Sequence, residues 1–230
     1  MTTSSLTLRL PETGSVSGQL YRTDAQQPQG RLSRLVILLH GWGADGADLM
    51  PLAPELVAQD SGDAVFVPDA PYVCSANPFG RQWFELADVG GGLGRNAAAC
   101  SHSAGLIAAL LDEVSAQTGI LPEQMILGGF SQGGMVSLTG GLSYDKSLCG
   151  LFCLSGAWLT PDQNLRQHSD LPLFLAHGAA DPVVPVSCMT QAETGLTEAG
   201  FTPQTLLRPD MAHGIDPETV RTLAGFIAGL

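Results

Sequence analysis

Hydrophobic and polar positions follow two periods along this chain, and each period predicts one kind of element. Residues 6–10 and 17–21 alternate between apolar and polar side chains, which is typical of strands with one face exposed. We expect these two segments to pair antiparallel at one edge of a sheet. Continuous apolar runs favour central strands covered by helices on both faces; they lie at residues 35–39, 64–67, 125–130, 151–154 and 173–176.

Helical spacing of apolar residues separates these strands. Helices are predicted over residues 48–59, 97–117 and 186–199, from Gln132 onward, and from Pro217 onward with Asp216 as a cap. A last strand is predicted over residues 203–207. This alternation predicts an α/β protein with a doubly wound, mostly parallel sheet and an antiparallel N-terminal edge. Ligands of such sheets bind beyond the carboxyl ends of the strands.

Composition and charge narrow the class of protein. The chain has 230 residues, of which 44% are hydrophobic and 14% are charged. This length suits a single domain over residues 1–230 with a large core. The net charge of −12, without a basic cluster, disfavours nucleic acid and anionic membranes as partners. The first residues lack the pattern of a signal peptide and no apolar run could span a bilayer, so we expect a cytoplasmic protein without stable membrane association.

Residues 128–134 read Gly-Gly-Phe-Ser-Gln-Gly-Gly and join a predicted strand to a predicted helix. Gly129, Ser131 and Gly133 fill the pattern Gly-x-Ser-x-Gly, in which a sharp turn strains the serine backbone and side chains two residues away would collide. Amides at the start of the helix favour negative charge developing near the serine oxygen. Ser131 is therefore a candidate nucleophile, and the alternative is a glycine-rich turn that only packs closely.

A serine hydroxyl becomes a useful nucleophile when a histidine takes its proton and a carboxylate orients that histidine. Asp181 and His213 each lie in a loop after a later predicted strand. Loops that follow parallel strands meet at one edge of the sheet, so the three side chains can converge there. The order Ser131, Asp181, His213 is that of the α/β-hydrolases.

Other residues could fill the two partner roles. Asp210 is interpreted as a turn residue and Asp216 as the helix cap, because neither follows a different strand at the carboxyl edge. His177 closely follows its strand and is expected to support the Asp181 loop. His102 and His168 lie in polar surroundings, where we expect a solvated histidine.

The sequence His40-Gly41-Trp42-Gly43 turns sharply after the first central strand. In this class of enzyme the oxyanion hole takes one amide from this loop and one from the residue after the nucleophile. The predicted donors are the backbone amides of Trp42 and Gln132. The alternative for the first of them is a plain tight turn.

Cysteine and glycine patterns indicate no further chemistry. The five cysteines are scattered through apolar sequence and are expected to be buried thiols; they are Cys74, Cys100, Cys149, Cys153 and Cys188. The chain has no Cys-x-x-Cys or His-x-x-x-His spacing, and the glycine-rich residues 90–94 lack the ending of a phosphate loop. We expect no metal and no cofactor, and we interpret residues 90–94 as a mobile loop.

The chain resembles the phospholipase/carboxylesterase family of α/β-hydrolases, which includes the acyl-protein thioesterases. The resemblance is carried by Gly-Phe-Ser-Gln-Gly-Gly at 129–134, by Asp-Pro-Val-Val-Pro at 181–185, and by blocks at 39–45, 68–71, 81–84 and 212–214. It implies that Ser131, Asp181 and His213 form the triad and that the reaction is hydrolysis of carboxylic esters or thioesters. The glycine loop at 90–92 departs from the family pattern, so the preference for acyl-chain length does not carry over.

Five residues close to the motif loops form a hypothetical acyl pocket: Trp83, Phe84, Val183, Val184 and Met211. Core packing is the alternative for each of them. Because no hydrophobic cap domain is visible in the sequence, we expect a small-molecule ester with a small or single acyl chain as the substrate.

Two other functions and one assembly stay open at this point. One is a dienelactone-type or peptide hydrolase on the same fold, although a dienelactone hydrolase would carry cysteine at position 131, where this chain has serine. A non-catalytic binding protein usually has a broken triad. Apolar residues between Val73 and Phe79 leave a homodimer contact and a cover over the site as alternatives.

Overall fold

The computed structural model of the chain describes residues 2–23, 32–86, 96–160 and 164–230. The predicted mobile loop at residues 90–94 lies outside these ranges. The strands and helices within them are β1 (Thr2–Leu10), β2 (Gly14–Arg22), β3 (Leu35–Leu39), α1 (Gly46–Leu49), α2 (Ala53–Leu56), β4 (Ala64–Pro68), β5 (Tyr72–Val73), β6 (Arg81–Gln82), α3 (Ala97–Thr118), β7 (Met125–Phe130), α4 (Gln132–Ser143), β8 (Gly150–Leu154), β9 (Leu173–Gly178), α5 (Ser187–Glu198), β10 (Gln204–Arg208) and α6 (Pro217–Ala228).

Eight of the strands form one sheet in the order β1-β2-β4-β3-β7-β8-β9-β10. The strands from β4 to β10 in this order run parallel, while β1 and β2 pair antiparallel with each other and β2 pairs antiparallel with β4. The predicted mostly parallel sheet with an antiparallel N-terminal edge is confirmed. The alternation in β1 has the expected cause, because Leu8 and Leu10 are buried while Thr7 and Arg9 are exposed.

β3 shows how this sheet separates two cores. Leu35, Ile37 and Leu39 belong to the core that contains side chains of α3, α4 and α5. Val36 and Leu38 belong to the core that contains side chains of α1, α2 and α6. All five residues of β3 are buried, because helices on both faces of a parallel sheet leave neither side of a central strand in water.

The predicted helix at residues 48–59 is wrong in its extent and continuity. The chain forms α1, a 3₁₀ turn at Met50–Leu52 and then α2. Pro51 and Pro54 supply no amide hydrogen for a continuous helical ladder, and their rings crowd the preceding turn. Asp45 caps α1 through a hydrogen bond from the Ala47 amide, which moves the start of the helix before the predicted one.

Residues 71–86 contain the short hairpin of β5 and β6. Two backbone hydrogen bonds join β6 to the loop after β3: the Gly43 amide donates to the Arg81 carbonyl at 2.9 Å, and the Arg81 amide donates to the Ala44 carbonyl at 2.7 Å. The hairpin therefore lies against the loop that carries Trp42.

The remaining predicted elements are confirmed within a few residues. α3 ends at Gly119, which has a φ of 71°, a left-handed conformation that favours glycine. Asp216 caps α6 and Asp210 lies in a turn, as expected. No helix in the described ranges is both long and apolar enough to cross a bilayer.

The cap of α6 leads to a prediction about stability and pH. Asp216 accepts hydrogen bonds from the Thr219 amide and from Arg208 Nε, each at 2.8 Å. Desolvation opposes ionisation, but the bonds from the side chain and amide of Thr219 and from Arg208 bring the pKa of Asp216 to about 2, below its ordinary 3.8. The ionised Asp216 cap therefore makes its full contribution to stability when the pH is above the ordinary pKa of aspartate. This contribution is lost as the pH falls toward 2.

We expect Asp216→Ala to lower the free energy of unfolding by about 1 kcal/mol at neutral pH. Urea denaturation of variant and wild type should show this difference shrinking as the pH falls below the ordinary aspartate pKa. Asp210→Ala is the matched control, because Asp210 is exposed and its side chain makes no hydrogen bond to any described residue. An equal loss in both variants, or a loss independent of pH, would contradict the capping role.

Candidate active site

Ser131 lies at the turn between β7 and α4, at the carboxyl edge of the sheet. Its backbone has φ 54° and ψ −117°, which is an unfavourable conformation for a residue with a side chain. The turn is held by a hydrogen bond from the Ser131 amide to the Leu154 carbonyl at 2.8 Å. This strained turn has the geometry of the nucleophile elbow that the sequence predicts.

The glycines on either side of Ser131 allow the sharp turn. A Cβ atom on Gly129 would lie 2.5 Å from the Leu39 carbonyl oxygen, and one on Gly133 would lie 2.1 Å from the same oxygen. Both separations are far inside van der Waals contact with rigid backbone. The predicted steric reason for Gly-x-Ser-x-Gly is therefore confirmed.

The structure brings Ser131, His213 and Asp181 together in one chain of hydrogen bonds. His213 Nε2 lies 3.0 Å from Ser131 Oγ, and His213 Nδ1 lies 2.7 Å from Asp181 Oδ2. Because Nδ1 donates a hydrogen bond to the carboxylate, Nε2 carries the free lone pair and accepts a hydrogen bond from the serine hydroxyl. The Phe130 ring packs against the imidazole, with 4.8 Å between the ring centroids, and helps to fix its orientation.

Asp181 is held by a loop that satisfies its carboxylate. The side chain is buried, and Oδ1 accepts hydrogen bonds from the amides of Val183 and Val184 at 2.8 and 2.9 Å. These two amides leave Oδ2 for His213 and compensate part of the loss of water around the charge. The sequence Asp-Pro-Val-Val-Pro therefore builds its own carboxylate cradle.

His177 supports this loop, as the sequence suggests. Its Nε2 lies 2.9 Å from the Val184 carbonyl and 3.4 Å from Asp181 Oδ2, and the side chain is buried. His177 makes no hydrogen bond to Ser131. His102 and His168 are exposed, and His213 is the histidine that contacts Ser131.

The loops after β9 and β10 approach each other closely at Gly178. A Cβ atom there would lie 2.1 Å from the Met211 carbonyl oxygen, and the Ala180 amide donates to that same oxygen at 3.1 Å. Glycine at position 178 therefore allows the loop that carries His213 to reach the loop that carries Asp181.

His40 fixes the loop after β3. It is fully buried; Nδ1 donates to the Gly41 carbonyl at 2.8 Å, and Nε2 accepts from the Ala70 amide at 2.9 Å. Burial lowers the pKa of His40, although the bond to Gly41 opposes this shift. The imidazole is therefore neutral, because a protonated Nε2 could not accept from Ala70.

The predicted oxyanion donors lie on two chain segments beside Ser131. A Cβ atom on Gly41 would lie 3.5 Å from Ser131 Cβ, so the loop that carries Trp42 runs beside Ser131. The first hydrogen bond of α4 runs from the Met135 amide to the Ser131 carbonyl, which leaves the Gln132 amide without an intrahelical acceptor. Within the described ranges, neither the Trp42 amide nor the Gln132 amide donates to another residue. Their role as oxyanion donors stays a prediction.

The residues of the hypothetical acyl pocket differ in accessibility. Trp83, Phe84 and Val184 are buried, whereas 56% of Val183 is exposed and Met211 is partly exposed. Only the last two side chains are accessible to a ligand in this conformation. The pocket itself stays a prediction.

One residue of the site, Ser155, and one side-chain role, that of Gln132, are not among those that the sequence predicts. Ser155 follows β8 with a φ of 48°, and its Oγ donates to the Gly214 carbonyl at 3.2 Å, next to His213. The Gln132 side chain bonds to the segment around Trp83. Ser155 directly follows a predicted central strand, which is a usable signal, whereas no sequence pattern indicates the direction of the Gln132 side chain.

The cysteines of the chain are free thiols, and three of the five are buried. Cys74, Cys100 and Cys153 are buried, as expected, while Cys149 and Cys188 are half-buried. Burial raises the pKa of Cys100 to about 11 and that of Cys153 to about 12, so both are neutral thiols at physiological pH.

Fold and site together define the α/β-hydrolase class of proteins: a mostly parallel sheet, a strained serine elbow after a central strand, and aspartate and histidine loops in the order of that class. A sequence model of the phospholipase/carboxylesterase family matches residues 23–230. The chain belongs to this family.

Several proteins that are similar to this chain are named as esterases or thioesterases. An acyl-protein thioesterase 1 of Emericella nidulans is 30% identical over 215 residues, covering 84% of this chain and 88% of the relative. The crystal structure of esterase PE8 is 32% identical, with a TM-score of 0.82 and coverage of 87% and 94%. Arabidopsis thaliana SOBER1 is 25% identical, with a TM-score of 0.74 and coverage of 85% and 98%. The chain is accordingly a hydrolase of the esterase and thioesterase kind.

Proposed function

We propose that this chain is a serine carboxylesterase that hydrolyses carboxylic esters or thioesters of small or single-acyl-chain substrates through an acyl-enzyme. The observation that carries the proposal is the hydrogen-bond chain from Ser131 Oγ to His213 Nε2 at 3.0 Å and from His213 Nδ1 to Asp181 Oδ2 at 2.7 Å. This arrangement has the geometry needed for a base to activate a serine.

In the first half of the reaction, Ser131 Oγ attacks the acyl carbonyl carbon while His213 Nε2 takes the hydroxyl proton. Asp181 orients the imidazole and stabilises the imidazolium that forms. The carbonyl oxygen becomes negatively charged and accepts hydrogen bonds from the amides of Trp42 and Gln132. The bond to the leaving group then breaks, and His213 returns the proton to the departing alcohol or thiol.

In the second half, water replaces the leaving group. His213 takes a proton from the water as its oxygen attacks the acyl-enzyme carbonyl, and the same amides hold the second oxyanion. When the bond to Ser131 Oγ breaks, His213 returns the proton to the serine. The carboxylic acid leaves, and the site is restored without any cofactor.

The surface around the site supports the proposed substrate class. The Trp42 side chain on the loop after β3 and Val183 on the loop that carries Asp181 are exposed apolar groups, and Met211 is partly exposed on the His213 loop. We propose that an acyl chain lies against these side chains, with Trp83, Phe84 and Val184 behind them. The names of the similar proteins are compatible with both esters and thioesters, whose leaving groups are an alcohol and a thiol.

The net charge of −12 supports neither nucleic acid nor a stable membrane association, and we propose a cytoplasmic location for the enzyme. Phe79 and Val73 are exposed on the hairpin of β5 and β6. A homodimer through this hairpin stays a prediction.

A series of p-nitrophenyl esters and matched acyl thioesters of increasing chain length tests the proposal. We expect kcat/KM to pass through an optimum with chain length, because an apolar surface of limited length contributes about 0.8 kcal/mol for each buried CH₂ until it is filled. Active-site titration with a slow ester should give one acyl group per chain. No turnover of any ester or thioester would contradict the proposal.

A further inference from the structure

The segment Arg81–Phe84 contacts both chain segments that carry the proposed oxyanion donors. Trp83 is fully buried, so it contributes little surface to a substrate in this conformation. Its polar groups nevertheless point to two different elements of the site. A side chain that is buried and bonded in this way has a role other than lining a pocket.

On one side, the segment Arg81–Phe84 holds the loop after β3. Trp83 Nε1 donates to the His40 carbonyl at 2.9 Å. The preceding residue, Gln82, accepts a hydrogen bond from Trp42 Nε1 at 2.8 Å. The loop that supplies the Trp42 amide is therefore held to this segment at two points by side-chain hydrogen bonds, one on either side of Gly41.

On the other side, the same segment holds the first residue of α4. The Trp83 amide donates to Gln132 Oε1 at 2.9 Å, and Gln132 Nε2 donates to the Phe84 carbonyl at 2.8 Å. Gln132 is almost fully buried, so both bonds are shielded from water. Ser103 Oγ donates to the Trp83 carbonyl at 3.1 Å, which ties the segment to α3.

Trp83 therefore joins two elements whose separation matters for the proposed chemistry. One oxyanion donor belongs to the loop after β3 and the other to the start of α4, and both lie beyond the ends of their strands, where the sheet ladder no longer fixes the backbone. A displacement of about 1 Å at a reacting centre can lower the rate by about 10²-fold. Two amides that donate to one oxygen therefore need a fixed separation, and the segment Arg81–Phe84 connects the two chain segments that carry them.

We propose that Trp83, together with the side chain of Gln132, is a positioning pair that sets the distance between the Trp42 and Gln132 amides in the oxyanion hole. The inference rests on the proposed function and deepens it. Neither side chain touches the substrate; each acts through the backbone amide that it holds.

Trp83→Phe keeps an aromatic ring and removes the indole donor to His40. We expect kcat for a p-nitrophenyl ester to fall by about 10-fold while KM stays within about 2-fold, because the lost interaction acts on the transition state and not on substrate binding. The inhibition constant of an alkyl boronic acid, whose tetrahedral adduct with Ser131 places an oxygen in the oxyanion hole, should rise by a similar factor.

Trp158→Phe is the matched control. Trp158 is also buried, but its Nε1 has no hydrogen-bond partner among the described residues, so the same substitution removes no bond. The kcat of the Trp158→Phe variant and its affinity for the boronic acid should equal those of the wild type. Equal losses in the two variants would show a general effect of trimming a buried indole and would overturn the inference.

Gln132→Met provides a second variant if Trp83→Phe folds poorly. It removes both side-chain hydrogen bonds and leaves the backbone amide of position 132 in place. We expect the same split between kcat and KM, and a double variant with Trp83→Phe whose loss is smaller than the product of the two single losses, because both act on one distance. Multiplicative losses, or wild-type kcat in either single variant, would overturn the inference. Failure of the wild type to turn over any ester would instead overturn the proposed function.

Discussion

Ser131→Ala is expected to lower kcat for ester hydrolysis by about 10⁶-fold, as removal of the nucleophile does when serine and histidine act as a unit. Ser131 Oγ bonds only to His213 among the described residues, and no side-chain cap bond joins it to α4. The substitution therefore removes the proposed nucleophile and its hydrogen bond to His213, but no hydrogen bond that caps α4. Circular dichroism and the thermal midpoint should match those of the wild type, and steady-state hydrolysis should fall to the background rate.

Ser143→Ala is the control for this experiment. Ser143 lies at the other end of the same helix, where its Oγ donates to the Thr139 carbonyl at 2.8 Å, far along the chain from the elbow. We expect full activity in this variant. Substantial activity in Ser131→Ala with an intact fold would show that hydrolysis uses another nucleophile or a direct attack by water.

Asp181→Asn is expected to lower kcat by about 10⁴-fold, with a small change in KM, because the amide holds His213 in the wrong tautomer. The surroundings of Asp181 decide which way the new amide points. Its oxygen must face the amides of Val183 and Val184, since both are donors. The NH₂ group then faces His213 Nδ1, which can only accept, so Nε2 carries the hydrogen and cannot take the serine proton.

The reversed amide would restore the bond to His213 but would place NH₂ against two backbone donors in a buried loop. Each buried donor left without an acceptor costs about 1–3 kcal/mol, so the inactive orientation is favoured. Asp210→Asn, in an exposed turn, is the control and should keep wild-type kcat. A loss below about 10-fold in Asp181→Asn would show that the carboxylate does not set the tautomer in the way described here.

Much of this fold can be predicted from the sequence because its central strands have an unambiguous environment. The run at β3 is apolar without interruption, and all of its side chains are buried between two helical layers. The edge strands β1 and β2 alternate because one of their faces is in water. The strained backbone at Ser131 can also be predicted from the sequence, because Gly129 and Gly133 stand at the two positions where a side chain would collide in a sharp turn.

The parts that the sequence does not predict depend on competition or on distant contacts. The apolar spacing at residues 48–59 favours one helix, and the missing amide hydrogens of Pro51 and Pro54 outweigh it. Proximity in sequence to a motif suggests that Trp83 lines a pocket, but the indole turns inward because the His40 carbonyl lies there, 43 positions earlier in the chain. Periodicity carries no information about such a contact.

The most direct measurement of the central claim is the position of a covalent label. The chain is treated with a fluorophosphonate, which reacts with activated serine hydroxyls, and the modified residue is located by peptide mass spectrometry. We expect a single adduct on Ser131, formed at the rate at which esterase activity is lost, and much slower labelling of Asp181→Asn. Loss of activity with the adduct on another residue, or full activity after complete modification of Ser131, would contradict the account.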